Sequence, residues 1–209
     1  LISFTVESTS SLVEALMGEV QHFIHCGSMW VHGCSEQVPT TEDQKSKPFG
    51  LYGINKAKIE VYLHSMFYQK AFPVTILHPG HITGPGWLPI NPAGHLGPEV
   101  FISLAQGKEI ILPNLGMETL HHVHADDVAQ AFQKSIENRQ NVLGESFHVV
   151  SEQALTLRGY AMAMAVWFGK EAKLDFMPWP LWKKNVTKRE VELTYDHILH
   201  NPNGSIAKA

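Results

Sequence analysis

Two short apolar runs on either side of a long amphipathic segment constrain the fold of this chain most strongly. Residues 22–26 and 74–78 are rich in aromatic and β-branched side chains, as buried strands of a parallel sheet are. Between them, residues 52–69 carry apolar side chains at helical spacing, and Pro73 introduces the second run. The order of strand, helix and strand predicts a right-handed crossover between two parallel strands.

Each predicted strand is followed by a segment that suits a ligand site. Residues 27–33 follow the first strand and include the hydroxyl of Ser28, and a loop dense in glycine and proline, residues 79–86, follows the second. Ligands of open α/β sheets bind in the crevice beyond the carboxyl ends of the strands. Ser28 is therefore placed to offer its hydroxyl to a substrate, although a turn serine is the simpler interpretation of this residue taken alone.

Tyr52 and Lys56 stand four residues apart at the start of the predicted helix. Side chains at this spacing share one helix face, with Cβ atoms about 5–6 Å apart. A cation about 4 Å from a phenolate stabilises it by about 1 kcal/mol in water and about 4 kcal/mol at an effective dielectric constant of about 20. The tyrosine pKa, normally near ~10, would then fall by roughly one to three units, which favours proton exchange with a hydroxyl or carbonyl. On its own the pair is a weak signal, because an exposed tyrosine beside a solvated lysine is common on helices.

Composition and charge exclude several classes of partner. Of the 209 residues, 44% are apolar and 17% are charged, and 16 basic against 20 acidic residues give a net charge of −4. Without a block of like charge, neither a nucleic acid nor an anionic membrane is an expected partner. No apolar run approaches the roughly 20 residues of a membrane span, and the chain does not open with a secretion signal, so a cytoplasmic location is expected. Cys26 and Cys34 are then predicted to be free thiols.

The chain has thirteen histidines, and the run His121-His122-Val123-His124 invites a metal hypothesis. Neither an HExxH pattern nor a cysteine pair supports it. The alternation around this run is more typical of a strand whose side chains point to opposite faces. We therefore predict no metal site.

The remaining chain reads as a series of short elements. We predict a loop over 36–48 and a loop over the crevice at 87–97. The predicted strands are 110–112, 119–124 and 147–150. The predicted helices are 6–17, 98–107, 128–138 capped by Asp126 or Asp127, 156–168, 187–200 opened by a Thr187–Glu190 capping box, and the beginning of another at 205–209.

Taken together, these segments resemble the extended short-chain dehydrogenase/reductases, and among them the NAD-dependent epimerase/dehydratase group. G-S-M-W-V-H-G (27–33) is similar to the family's S-x-x-V-Y-G segment, and Y-G-I-N-K (52–56) to its Y-G-x-S-K helix. L-H-P-G-H-I-T-G-P-G (77–86) and V-H-A-D-D-V-A (123–129) follow in the family's order. Glu60 also falls at a family position. The resemblance implies an α/β fold with a partial Rossmann-like, doubly wound parallel sheet and a small α/β substrate-binding portion.

The resemblance also assigns roles to individual residues. Tyr52 would be the catalytic acid/base, Lys56 would lower its pKa and bind the nicotinamide ribose, and Ser28 would hydrogen-bond the substrate oxygen. The cofactor would be NAD or NADP, with NAD favoured. The cofactor-binding residues would be Cys26, Tyr52, Lys56, Pro79, Gly80 and Ile82. The substrate-binding residues would be Ser28, Met29, His81 and Leu120, while Asp127 would be a structural cap.

Departures from the family pattern bear on the substrate. Leu120 and His78 stand where sugar-nucleotide enzymes commonly carry arginines, and leucine cannot pair with a phosphate. The substrate is therefore expected to be a secondary alcohol that is sugar-like or small and polar, and less charged than a nucleotide sugar. Met29 and Trp30 replace the acidic residues that a dehydratase would use beside Ser28, so an epimerase or a dehydrogenase is favoured.

The division of the chain follows from the same resemblance. Residues 1–86 would be the C-terminal part of the dinucleotide-binding domain, and residues 87–209 a substrate-binding lobe from which a strand and helix at about 119–140 return to the first part. The family's G-x-x-G-x-x-G turn, which places the pyrophosphate at a helix N-terminus, does not occur in the sequence. We therefore expect these 209 residues to belong to a longer enzyme, and alone to bind NAD weakly and be inactive.

Two alternatives to an enzyme remain open at this point. The chain could be a non-catalytic, dinucleotide-binding sensor or scaffold of the same fold, although such proteins typically lose the tyrosine or lysine that this chain keeps. It could also be a short product with an adaptor role. A homodimer through the Tyr52 helix is expected only by analogy with the family.

Overall fold

The structure, a computed structural model, describes residues 2–209 and contains four small sheets. The strands are β1 (Phe23–Cys26), β2 (Val74–Pro79), β3 (His81–Thr83), β4 (Glu109–Pro113), β5 (Thr119–Leu120), β6 (His122–His124), β7 (Ser146–Val149), β8 (Leu155–Thr156) and β9 (Lys173–Met177). The helices are α1 (Val6–Leu16), α2 (Gly50–Lys70), α3 (Glu99–Ala105), α4 (Ala125–Glu137), α5 (Arg139–Val142), α6 (Leu157–Trp167), α7 (Trp179–Trp182) and α8 (Lys188–His200). None of these helices combines the length and the apolar character that crossing a membrane requires.

The central sheet confirms the predicted parallel crossover. Its strand order is β1-β2-β7, and α2 connects β1 to β2. Both pairs are parallel, with Phe23 opposite Val74 and Ile76 opposite Ser146. The carboxyl ends of β1 and β2 therefore lie side by side, as the sequence pattern required.

Helices cover both faces of this sheet, which makes it doubly wound. Neighbouring strand residues point to opposite faces, because side chains alternate along a strand. One face packs against α1 and α2 through a core that contains Val13, Phe23, Ile59, Leu63, Val74 and Ile76. The other face packs against α4 through a core that contains Ile24, Leu77, Val128, Phe132, Phe147 and Val149. The partial Rossmann-like fold expected from the sequence is confirmed.

A separate core holds the second half of the chain together. Strands β4 and β9 pair in parallel, and α3, α6 and α7 pack around them. The fully buried members of this core include Leu112, Leu157 and Ala161. Helix α4 belongs to the second half of the chain by position, but it packs against β2 and β7 of the central sheet. The division at residue 86 itself remains a prediction.

Two local predictions in the second half were wrong. Residues 119–124 form two strands in different sheets rather than one, because the chain breaks at His121. His121 is buried, and its ring bonds the Ser151 carbonyl and the Gly204 N–H. Residues 205–209 do not form a helix. Instead, Ser205 N–H donates to the Thr40 carbonyl, which draws the segment alongside the loop before α2.

The cap of α4 also differs from the prediction. The sequence suggested Asp126 or Asp127, but the helix begins at Ala125 and its cap is His124. The His124 Nδ1 accepts from the Asp126 N–H at 3.2 Å. Both aspartates lie in the first turn, where the positive end of the helix dipole stabilises their negative charges. Asp127 is therefore a first-turn residue and not the cap.

The Thr187–Glu190 capping box of α8 is confirmed and gives a first testable prediction. The Thr187 hydroxyl accepts from the Glu190 N–H at 3.3 Å, and the Glu190 carboxylate accepts from the Thr187 N–H at 2.8 Å. We expect Thr187→Ala to lower the free energy of unfolding by about 1 kcal/mol. Urea unfolding of this variant beside Thr187→Ser, which keeps the hydroxyl, measures the effect. An unchanged midpoint for Thr187→Ala would show that the cap does not stabilise α8.

Candidate active site

All ten predicted site residues line one cavity of about 450 Å³. The cavity lies at the carboxyl ends of β1 and β2, because Cys26 and Pro79 end these strands and both line it. The ten residues are Cys26, Ser28, Met29, Tyr52, Lys56, Pro79, Gly80, His81, Ile82 and Leu120. The structure therefore brings the whole predicted set together, while the role of each residue remains a prediction.

Ser28 and Tyr52 place two hydroxyl groups side by side in this cavity. Ser28 follows β1 and caps the short turn Met29–His32, where its Oγ accepts from the Trp30 N–H at 3.2 Å. Tyr52 lies in the first turn of α2, is 41% exposed and lines the same cavity as Ser28. The Trp30 ring meets the Tyr52 ring edge-on, with 5.6 Å between centroids. Backbone capping and ring packing thus hold both hydroxyls in position.

The surroundings of Lys56 correct one expectation about Tyr52. Lys56 is 2% exposed, and its ammonium donates to the carbonyls of Ser3 at 2.8 Å and Cys26 at 2.9 Å. It lies 5.7 Å from the centroid of the Tyr52 ring. Burial raises the pKa of Tyr52, and the neighbouring Ser28 side chain only partly opposes this rise. The pKa of Tyr52 is therefore raised rather than lowered, chiefly because the phenol is buried.

The residues predicted to border the nicotinamide fit a flat, largely apolar ring. Cys26, Pro79 and Ile82 supply apolar surface, and Gly80 has no side chain to cover its backbone. A Cβ at Gly80 would lie 2.3 Å from the His121 carbonyl oxygen, so no larger residue fits there. An ammonium has three N–H groups, and two of those on Lys56 are used, which leaves one for a ribose hydroxyl.

Other parts of the cavity wall were not predicted as site residues. The loop expected to cross the crevice does so, and it contributes Trp87, Ile90 and Leu96. The helix α8 and the residues after it contribute Leu193, His197 and Pro202. The helical period of α8 was visible in the sequence, but periodicity does not reveal which surface a helix packs against.

A stack of aromatic rings ties the end of α8 to the start of α2. His200 lies between Trp30 and Phe49, with 4.0 Å between its centroid and that of each neighbour. Phe49 is the residue before α2, and Trp30 contacts Tyr52. The second half of the chain therefore helps to hold the tyrosine in place.

A buried polar network contacts the backbone of Ser28. The His78 ring lies within 3.2 Å of the Ser28 N–H and 3.0 Å of its carbonyl through Nδ1, and 2.9 Å from Glu60 through Nε2. The Glu60 carboxylate also accepts from the Ser146 hydroxyl at 2.6 Å. Burial alone would raise the pKa of Glu60, but the His78 charge and the hydrogen bonds from His64, His78 and Ser146 lower it well below its usual range. This network could not be predicted from sequence patterns, because it joins two strands and a helix.

The buried histidines predict a second measurable property, a loss of stability in mild acid. Burial lowers the pKa of His32, His122, His197 and His200 to about 4. In the unfolded chain these rings titrate near ~6.5, so below that pH the unfolded state binds more protons. Stability should therefore be full above about pH 6.5 and fall as the pH drops towards 5.

Urea midpoints measured across this pH range check the expectation. We expect His200→Phe to reduce the pH slope, since one titrating ring is lost. Leu115→Ala changes an exposed side chain that does not titrate and serves as the control, for which we expect the slope to be unchanged. A wild-type midpoint that does not move between pH 6.5 and 5 would contradict the assignment of neutral buried rings.

One further cluster contains groups that metals bind. Ligand atoms of His95, Glu99 and Glu190 lie within 4.8 Å of one another. The His95 Nδ1 already accepts from the Gly97 N–H at 3.1 Å, and Glu190 belongs to the capping box of α8. These contacts account for the positions of His95 and Glu190 structurally.

The parallel sheet wound on both faces and the cavity at its strand ends define a nucleotide-binding fold of the Rossmann type. The family model described as "NAD dependent epimerase/dehydratase family" matches residues 2–149. The chain belongs to this family. The NAD dependence in the family's description agrees with the cofactor class predicted from the sequence.

Two relatives match parts of the chain. The chain is 29% identical over 159 residues to the chloroplast stem-loop binding protein of 41 kDa b from Arabidopsis thaliana, covering 76% of this chain and 39% of the relative. It is 30% identical over 133 residues to human dTDP-D-glucose 4,6-dehydratase, covering 61% of this chain and 35% of the relative. The chain thus spans well under half the length of these relatives.

Structural comparison supports the same fold. UDP-glucuronic acid 4-epimerase from Bacillus cereus, solved with UDP-glucuronic acid and NAD, superposes with a TM-score of 0.68 at 18% identity, covering 94% of this chain and 66% of the epimerase. DesIV, a dTDP-glucose 4,6-dehydratase from Streptomyces venezuelae, superposes with a TM-score of 0.63 at 20% identity, covering 82% of this chain and 53% of DesIV. At these identities the likeness concerns the fold.

Proposed function

We propose that the protein carrying this chain is an NAD(P)-dependent oxidoreductase or epimerase that acts on a secondary alcohol, with Tyr52 as the acid/base. One observation carries the proposal. Ser28, which follows β1, and the pair Tyr52 and Lys56, which stand four residues apart on α2, line the same cavity beside Pro79 and Gly80. NAD is favoured over NADP by the family.

Ser28, Tyr52 and Lys56 have separate roles in this proposal. The Ser28 hydroxyl holds the substrate oxygen beside the Tyr52 hydroxyl, which exchanges a proton with it. A nicotinamide, when bound, supplies the hydride acceptor. Lys56 donates to the carbonyls of Ser3 and Cys26. Its third N–H would hold the ribose hydroxyl of a bound cofactor. Because burial raises the pKa of Tyr52, the phenol is well suited to donate a proton to a ketone in the reductive direction.

The fate of the oxidised carbon separates the members of this class. A ketone released as product defines a dehydrogenase, and re-reduction from the other face defines an epimerase. Met29 and Trp30, the two residues after Ser28, carry no acidic or basic group that could help to eliminate water from the substrate. A dehydratase is therefore disfavoured.

Isotope transfer tests the proposal directly. The full-length protein is incubated with NAD⁺ and secondary alcohols that carry deuterium on the carbinol carbon. We expect deuterium on the nicotinamide when ketone is released, and deuterium returned to an inverted carbon when the enzyme is an epimerase. Cofactor binding with no label transfer to any alcohol would favour the non-catalytic sensor instead.

The cofactor affinity of the chain alone is part of the proposal. We propose that these 209 residues bind NAD weakly by themselves, since they lack the glycine-rich turn that holds the pyrophosphate. A calorimetric titration that gave a low micromolar dissociation constant would contradict this. A role in stem-loop binding, which the name of the chloroplast relative gives for that protein, is not favoured by the net charge of −4.

A further inference from the structure

The second half of the chain presents an apolar wall to the cavity. Eight lining residues come from positions after 86, and two of them are histidines, His121 and His197. The other six are Trp87, Ile90, Leu96, Leu120, Leu193 and Pro202. These residues lie in the portion that the sequence assigns to substrate binding. A substrate that fills the cavity therefore loses contact with water along this wall and contacts mostly apolar side chains instead.

The described part of the cavity offers a substrate no cation besides Lys56. Within residues 2–209, Lys56 is the one acidic or basic side chain, histidines aside, that lines it, and its ammonium is held by two carbonyls. His121 uses both ring nitrogens within the protein, and the His197 Nδ1 donates to the Leu193 carbonyl at 2.7 Å. Burial lowers the pKa of His81, and that of His197 to about 4, so these rings are neutral at neutral pH.

We propose that the substrate is an uncharged secondary alcohol with a hydrophobic body, and that it carries neither a phosphate nor a carboxylate. The inference rests on the proposed function and names the substrate class for the same site. An anion placed against this wall would lose its hydration and find no cation in return, which is strongly unfavourable. A hydrophobic body gains from the same desolvation, and the cavity of about 450 Å³ leaves room for it beside a nicotinamide.

A homologous series of ligands measures this preference without requiring turnover. The full-length protein with saturating NAD⁺ is titrated with straight-chain methyl carbinols of increasing length, and tryptophan fluorescence reports binding near Trp30 and Trp87. We expect the dissociation constant to fall about 4-fold for each added methylene, the equivalent of about 0.8 kcal/mol. Glucose and UDP-glucose, titrated in the same way, are expected to bind more weakly than the longest carbinol.

Two leucine variants test whether the wall itself produces the effect. Leu193→Asn makes the wall polar at a residue that is only partly buried, so the fold should tolerate it. We expect it to weaken binding of the long carbinols by at least 4-fold with little change for the shortest. Leu115→Asn changes a leucine that is 70% exposed and does not line the cavity, and we expect it to leave the series unchanged.

The outcomes separate this inference from the proposed function. Tighter binding of UDP-glucose than of the longest carbinol, affinities that do not change with length, or no binding of any alcohol would each overturn the inference. Label transfer from UDP-glucose that depends on Tyr52 would overturn it and leave the function standing. Length-dependent binding of carbinols with no label transfer would support the inference and count against the proposed function alone.

Discussion

Tyr52→Phe is expected to lower the rate of alcohol oxidation by about 10²–10⁴-fold, the contribution typical of a general acid/base. The substitution removes only the hydroxyl, so the ring keeps its edge contact with Trp30 and the fold should be undisturbed. Substrate and cofactor binding should change little, because Ser28 and Lys56 remain. The measurement is the steady-state rate of the full-length protein with the best alcohol found in the panel.

The same helix provides a matched control. Tyr68 also lies on α2, is 75% exposed and is remote from the cavity lining, so Tyr68→Phe should leave the rate unchanged. The pH dependence adds a second criterion. Because burial raises the pKa of Tyr52, wild-type oxidation should accelerate as the pH rises towards that value, and ketone reduction should slow. A Tyr52→Phe variant that oxidises alcohols at the wild-type rate would remove the tyrosine from the mechanism.

The sequence predicted those parts of the site that depend on local patterns. Strand periodicity and loop position placed Ser28 and Gly80 at adjacent strand ends, and helical spacing placed Tyr52 and Lys56 on one face. These features follow from rules that act over a few residues. The cavity therefore contains every residue that was expected there.

Features that depend on distant partners could not be predicted in the same way. The carbonyls that hold Lys56 come from Ser3 and Cys26, and the burial that raises the pKa of Tyr52 comes from the packing around α2. The docking of α8 depends on His200 meeting Trp30 and Phe49 from the other half of the chain. Helical periodicity marks the apolar face of a segment, but the partner of that face is decided by tertiary packing.

The Glu60 network is a third long-range feature, and it leads to the prediction with the largest effect on stability. Glu60→Ala would leave His78 and Ser146 without their shared acceptor in a buried place. We expect the free energy of unfolding to fall by about 3 kcal/mol, because two buried groups each lose a hydrogen bond at a cost of about 1–3 kcal/mol. For a domain of this size that corresponds to a melting temperature lower by about 6–12 °C.

Two further variants separate the charge of Glu60 from its hydrogen bonds. Glu60→Gln keeps an oxygen for the His78 N–H and should cost less than Glu60→Ala, whereas Glu152→Ala, at an exposed position, should cost almost nothing. The pKa of Glu60 is lowered in the folded state, so its contribution is present above the unfolded value of about 4.3 and is lost as the pH falls below it.

Calorimetry at a series of pH values checks this sign. The difference in stability between the wild type and Glu60→Gln should be constant above about pH 5 and shrink below about pH 4.3. Because the His78 ring also bonds the backbone of Ser28, Glu60→Gln should raise the KM for the alcohol more than it changes the affinity for NAD. Equal stability of the wild type and Glu60→Ala at neutral pH would mean that water or a neighbouring group replaces the carboxylate, and Ser28 would then need another support.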